Sequence, residues 1–187
     1  MSSKGQRTRS TGATVWITGL SGSGKTTLAG AISRELSARG QPNCVLDGDE
    51  LRSGLSSDLG LSHDDRSEQA RRAAHVARLI SGAGIVAIVA LVSPYAEDRA
   101  LARRTHAGLD FFEIWVDTPL SVCRERDPKG LYRRSSSGEL SGLTGVDSPY
   151  EPPTAPDVIV RGYGATPAAA ASEVIAALDG QRTRPRS

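Results

Sequence analysis

The segment Gly19-Leu20-Ser21-Gly22-Ser23-Gly24-Lys25-Thr26 satisfies every fixed position of the pattern GxxxxGK[ST]. It stands directly between the apolar run 14–18 and the helix-patterned Thr27-Leu28-Ala29-Gly30-Ala31-Ile32. A glycine-rich turn that joins a strand to a helix aims several main-chain N–H groups, and the positive end of the helix dipole, at one point where a polyphosphate can rest. In such a turn Lys25 reaches the β- and γ-phosphates of a bound ATP, and Thr26 offers its hydroxyl to Mg²⁺. Gly19, Ser21, Gly22, Ser23, Gly24, Lys25, Thr26 and Thr27 are therefore the expected ATP-binding residues.

Further along, apolar β-type runs alternate with helical patterns. Strands are expected at 14–18, 43–47, 85–91, 111–117 and 157–160, with helices near 25–39, 64–82, 96–107, 119–125 and 166–179. The run Ile85-Val86-Ala87-Ile88-Val89-Ala90-Leu91 is apolar throughout, as a strand covered on both faces must be. This alternation predicts an α/β fold of the P-loop NTPase type: a parallel sheet of about five strands with helices on both faces. Residues 126–153 carry Gly, Pro, Ser and charge without periodicity, so a long lid loop is expected there. The polar ends, 1–12 and 180–187, suggest disordered tails around one domain at 13–179.

Composition excludes several function classes. The chain has 187 residues and a net charge of +2, and much of its positive charge falls in the tails, so no nucleic-acid surface is expected. No apolar stretch approaches the roughly 20 residues needed to span a bilayer, and no signal-peptide core is present, so the expected location is cytoplasmic. Cys44 and Cys123 lack metal-ligand spacing, and both are expected to be buried small hydrophobes.

In an open parallel sheet, ligands collect beyond the carboxyl ends of the strands. There Asp47-Gly48-Asp49 follows the second strand and Ser93-Pro94-Tyr95 the third. One carboxylate could hold Mg²⁺ (Asp47), and another could accept the proton of an attacking hydroxyl, for which Asp49 lies further out along the turn. Arg52 and Arg66 suit bidentate recognition of an anionic substrate, whereas Arg71 and Arg72 could equally be surface charges paired with Glu68.

Taken in order, GLSGSGKTT (19–27), LDGDELRSGL (46–55), DLGLSHDDR (58–66), VSPYAEDR (92–99), RDPKGLYRR (126–134) and LTGVDSPYEPP (143–153) resemble the adenylylsulfate kinases. The resemblance covers roughly residues 13–160. It implies an ATP- and Mg²⁺-dependent enzyme that phosphorylates the 3′-hydroxyl of adenosine 5′-phosphosulfate. Catalysis would fall to Lys25, Asp47 and Asp49. Asp49, Arg52, Leu61, Arg66, Gln69, Val92, Ser93, Pro94, Lys129 and Leu143 would contact the acceptor nucleotide, with 126–153 as a mobile lid. A homodimer is implied, served by a separate ATP sulfurylase.

The sequence departs from the family at Leu61 and Leu143, where phenylalanines usually enclose the acceptor's adenine, and at Gln69, where asparagine is usual. Leucine covers a base but lacks the stacking contribution of roughly 1–3 kcal/mol per base. A paralogue acting on another nucleotide conjugate, for example a pyrimidine one, is the alternative. A non-catalytic nucleotide-binding subunit has no chemical need for Lys25, Thr26, Asp47 and Asp49.

Overall fold

A computed structural model describes residues 12–182. Five strands, β1 (Ala13–Thr18), β2 (Asn43–Asp47), β3 (Val86–Ala90), β4 (Asp110–Asp117) and β5 (Val158–Arg161), form one sheet in the order β2-β3-β1-β4-β5. Every neighbouring pair is parallel. Around the sheet lie the helices α1 (Lys25–Ala38), α2 (Gly48–Ser53), α3 (His63–Gly82), α4 (Ala96–Thr105), α5 (Leu120–Arg126), α6 (Leu131–Ser136) and α7 (Pro167–Arg182).

The period-two alternation of strand side chains divides the core into two layers. Val15 and Ile17 of β1, with Val86, Ile88 and Ala90 of β3, face α1 and α7, where Leu28, Ile32, Leu36, Val174, Ile175 and Leu178 complete one cluster. Trp16, Ala87 and Val89 point the other way, onto α3 and α4. The small side chains Ala70, Ala73, Ala74 and Ala77, spaced i, i+3, i+4, i+7, let α3 lie close to the sheet beside the fully buried Trp16 ring. Truncating a ring such as Trp16 typically costs about 3–5 kcal/mol.

Three local expectations need correction. The stretch 126–153 is not wholly irregular: it contains α6, whose first-turn amides at Tyr132 and Arg133 are capped by the carboxylate of Asp127. The turn after β2 winds into α2. Cys44 is exposed, because β2 is an edge strand covered on only part of its surface, whereas Cys123 is buried as expected. At the ends, Gly12 is buried beside the carbonyls of Ser81 and Ile85, and α7 continues to Arg182. The remainder of the expected tails, 1–11 and 183–187, lies outside the described residues.

The order of the strands sets where a site can form. Chain connections diverge on either side of β1, toward β3 and β2 in one direction and toward β4 and β5 in the other. At such a switch point the loops splay apart beyond the strand ends and leave a crevice.

Candidate active site

The crevice is a cavity of about 890 Å³ lined by the P-loop, the Asp47–Asp49 turn, Ser93–Pro94, Lys129, Leu143 and the segment after β5. That volume lies toward the upper end of the range for small-molecule sites, roughly 300–1,000 Å³.

The P-loop occupies one wall. Gly22 and Gly24 have φ of 73° and 108°, the left-handed conformations that let successive amides converge and that other residues adopt only under strain. Helix α1 starts at Lys25 with no side-chain cap and no acidic residue in its first turn. Its first amides are thus left for an external anion, favoured further by the helix dipole. Lys25 is 9% exposed, and its Nζ donates to the Leu20 carbonyl at 2.7 Å. Burial, followed by the nearby charge of Lys129, lowers its pKa to about 8. A phosphate arriving here supplies the counter-charge that burial withholds.

Thr26 and Asp47 meet across the crevice. The Thr26 hydroxyl donates to Asp47 Oδ2 at 2.7 Å, while Asp47 Oδ1 accepts the Asp49 amide at 3.0 Å and caps α2. One carboxylate therefore both caps α2 and accepts the P-loop hydroxyl. Mg²⁺ usually keeps several waters and takes only one or two protein oxygens beside substrate phosphates, and this pair of oxygens suits that demand. Gln69 donates from Nε2 to the Gly48 carbonyl at 3.0 Å and so steadies the same turn. The turn passes so close to β3 that a Cβ on Gly48 would stand 2.8 Å from Leu91 Cδ2.

Asp49 projects into the cleft and pairs with Lys129, from the stretch between α5 and α6. Both side chains are largely exposed, and ion pairs of that kind contribute about 1 kcal/mol or less, so a substrate can part them. Beyond them stand two arginines whose hydrogen bonds go to carbonyl oxygens. Arg52 donates to the carbonyls of Leu59 and Gly60 at 3.2 and 2.7 Å. Arg66, only 8% exposed, donates to those of Leu61 and Gly142 at 3.0 and 2.7 Å. Burial lowers the pKa of both, and for Arg66 the neighbouring Arg52 adds to the effect. Guanidinium groups nevertheless stay protonated, so this wall carries positive charge suited to a multiply charged anion.

Arg66 also ties together the two chain segments that bring Leu61 and Leu143 to the cavity. Leu143 is 4% exposed and packs with Cys123, Tyr132, Leu20, Leu120 and Leu131 under the lid. Ser93 borders the cavity in a left-handed conformation, φ 35°, and its hydroxyl oxygen accepts the Trp16 indole N–H at 3.1 Å. Val92 and Pro94 flank it on the same wall.

All the residues assigned in the sequence to ATP, acceptor, metal or catalysis, except Gly19, border this one cavity. Gly19 lies at the root of the loop, where a Cβ would stand 2.8 Å from the Val116 carbonyl. Arg71 and Arg72 are not among the lining residues. Arg71 grips Glu68, while Arg72 holds both Glu68 and Asp58 and donates to the Leu55 carbonyl, stapling the 55–58 loop to α3. These hydrogen bonds bring the Glu68 pKa down to about 2.

The sequence reading missed the wall formed by 161–167 and Arg126. Arg126 donates to the carbonyls of Gly22 and Gly162 at 3.4 and 2.8 Å, joining the P-loop to that segment. A Cβ on Gly162 would lie 1.9 Å from Thr118 Oγ1 and 2.4 Å from the Ser23 carbonyl. Tyr132 carries no such role in the sequence pattern, although its hydroxyl donates to the Ser21 carbonyl at 2.9 Å and rests α6 on the P-loop. The available signal was Gly162-Tyr163-Gly164, a glycine pair at the carboxyl end of a strand.

Residues 11–161 match the family described as adenylylsulphate kinase. An adenylyl-sulfate kinase of Clostridium acetobutylicum is 49% identical over 152 residues, 81% of this chain and 76% of that protein. The bifunctional enzyme CysN/CysC of Mycobacterium tuberculosis is 53% identical over 149 residues, 79% of this chain but 24% of that longer protein. The structure of the Mycobacterium tuberculosis APS kinase CysC in complex with AMPPNP and APS superposes with a TM-score of 0.88 at 49% identity, covering 90% of this chain and 98% of that one. The chain belongs to the adenylylsulfate kinase family of P-loop enzymes.

Proposed function

We propose that this enzyme transfers the γ-phosphoryl group of ATP to the 3′-hydroxyl of adenosine 5′-phosphosulfate. The observation that carries the reading is the single cleft in which Lys25 and Thr26 of the P-loop face Asp49 and the Arg52–Arg66 wall. In it, ATP lies with its phosphates against the amides of 19–26 and its base toward Arg126 and 161–167. The acceptor lies between Leu61 and Leu143, with its phosphosulfate toward Arg52, Arg66 and Lys129.

Catalysis then follows from placement and charge. The 3′-hydroxyl displaces Lys129 as the partner of Asp49, which orients it and takes its proton as the new O–P bond forms. The bond from the γ-phosphorus to the β,γ-bridging oxygen breaks, and ADP leaves. Lys25 stands where negative charge gathers on the leaving phosphates, and fixed charge at that position favours the transition state. Thr26 and Asp47 would hold Mg²⁺, which supplies further neutralisation of the β- and γ-phosphates when bound. The lid, resting on the P-loop through Tyr132, keeps water from competing with the alcohol.

An assay of phosphate transfer from ATP to adenylylsulfate tests the reading. Turnover is expected, and Asp49→Asn should lower kcat by about 10²–10⁴, the usual contribution of a positioned base. No turnover of adenylylsulfate, together with turnover of a pyrimidine nucleotide conjugate, would assign the acceptor site to a different base. The proposal extends to a homodimer, checked by the mass in solution, and to a separate sulfurylase that makes the acceptor. Among the described residues no helix is long and apolar enough to cross a membrane.

A further inference from the structure

Arg99 does not border the cavity, yet it is only 3% exposed. Its guanidinium donates to three separate parts of the chain: from Nε to Glu113 Oε1 at 2.8 Å, from Nη1 to the Ser93 carbonyl at 2.8 Å, and from Nη2 to the Glu151 carbonyl at 2.6 Å. Glu113 supplies the counter-charge that a buried cation requires. Charge balance is thereby met, and the two carbonyls are additional: they fasten main chain. One belongs to Ser93, whose left-handed backbone persists only where its surroundings hold it. The other belongs to the C-terminal root of the lid.

Contacts around Arg99 join the same two segments, directly or through Thr18 at the end of β1. The Glu151 amide donates to the Pro94 carbonyl at 2.9 Å, and the Glu151 carboxylate accepts the Ala96 amide at 2.7 Å. The Tyr150 ring centroid lies 6.0 Å from the guanidinium carbon, and its hydroxyl is 3.1 Å from Thr18 Oγ1, which itself donates to the Val92 carbonyl. Thus one root of the lid is bound to the Ser93–Pro94 turn, while the other, at Arg126, is bound to the P-loop.

We propose that Arg99 is a positioning residue that makes the Ser93–Pro94 turn and the C-terminal root of the lid a single piece, fixing the acceptor side of the cleft without acting on the ATP side. The inference rests on the kinase reading. Lysine keeps the charge but lacks the planar fork that spans three acceptors, so Arg99→Lys removes the positioning and leaves the ion pair possible. Steady-state assays should vary ATP and adenylylsulfate separately, and hydrogen exchange should be followed in the free protein. We expect Arg99→Lys to raise the KM for adenylylsulfate at least about fivefold while that for ATP stays within about twofold. Amide exchange should quicken across 142–151 and not across 19–26. Tyr150→Phe, which serves if Arg99→Lys does not fold, should shift the same constant in the same direction by about twofold. An unchanged acceptor KM, or equal rises in both constants, overturns the proposal. If the unaltered enzyme itself shows no transfer, it is the kinase reading that fails, and the exchange pattern still decides the role of Arg99.

Discussion

On the side of the cleft proposed for ATP, the groups offered to phosphate are main-chain amides and two side chains from one continuous segment, 19–26, held between β1 and α1. On the acceptor side, the wall is assembled from α2, the start of α3, the turn after β3 and the lid, and arginine side chains hold these pieces together. The phosphate-facing loop takes its shape from local backbone geometry, whereas the acceptor wall also depends on hydrogen bonds between distant segments, from Arg66 to Gly142 and from Arg99 to Glu151. Substitutions on the two sides should therefore fail in different ways, one losing chemistry and the other losing grip on the acceptor.

The largest effect is expected from Lys25→Ala. In the proposed mechanism it removes the cation beside the leaving phosphates, and it should lower kcat/KM about a thousandfold, as loss of a transition-state donor does. Full activity in that variant would remove the basis for distinguishing the two walls. Next comes Arg66→Ala, which deletes hydrogen bonds to two carbonyls and a charge facing the acceptor. Interactions worth about 1.5–3 kcal/mol predict a rise of roughly 10- to 150-fold in the adenylylsulfate KM, with the ATP KM little changed. Equal effects on both substrates would mean that the walls are not independent.

The smallest effect is one of pH. Below about 8 Lys25 carries its charge and attracts the phosphates, whereas above it the free enzyme must take up a proton to bind ATP. The ATP KM should therefore rise by about threefold from pH 7.5 to 8.5. The acceptor KM lacks that contribution, since burial lowers the pKa values of Arg52 and Arg66 but guanidinium groups stay charged throughout this range. A parallel rise in both would locate the titrating group elsewhere.

The same contrast explains what could be seen in the sequence. The P-loop, β2 at 43–47 and the doubly covered β3 were visible because glycine spacing and apolar runs are local properties. Helices α2 and α6 were not, since six residues are too few to display a period. Asp47 and Asp49 stood out because they lie at and just beyond the carboxyl end of a strand. Arg99 and Arg126 did not, because their partners lie far along the chain, at Glu151 and Gly162. Cys44 was misjudged as buried because an apolar neighbourhood does not reveal whether a strand lies at the margin of its sheet.

Gly162 offers no functional group, yet the hydroxyl of Thr118 and the carbonyl of Ser23 close around its α-carbon with no room for a single methyl. Even alanine would push the 161–167 wall away from the P-loop. A saturation library at this codon should therefore behave like one at a catalytic position, tolerating nothing but the original, although the residue contributes only its own smallness.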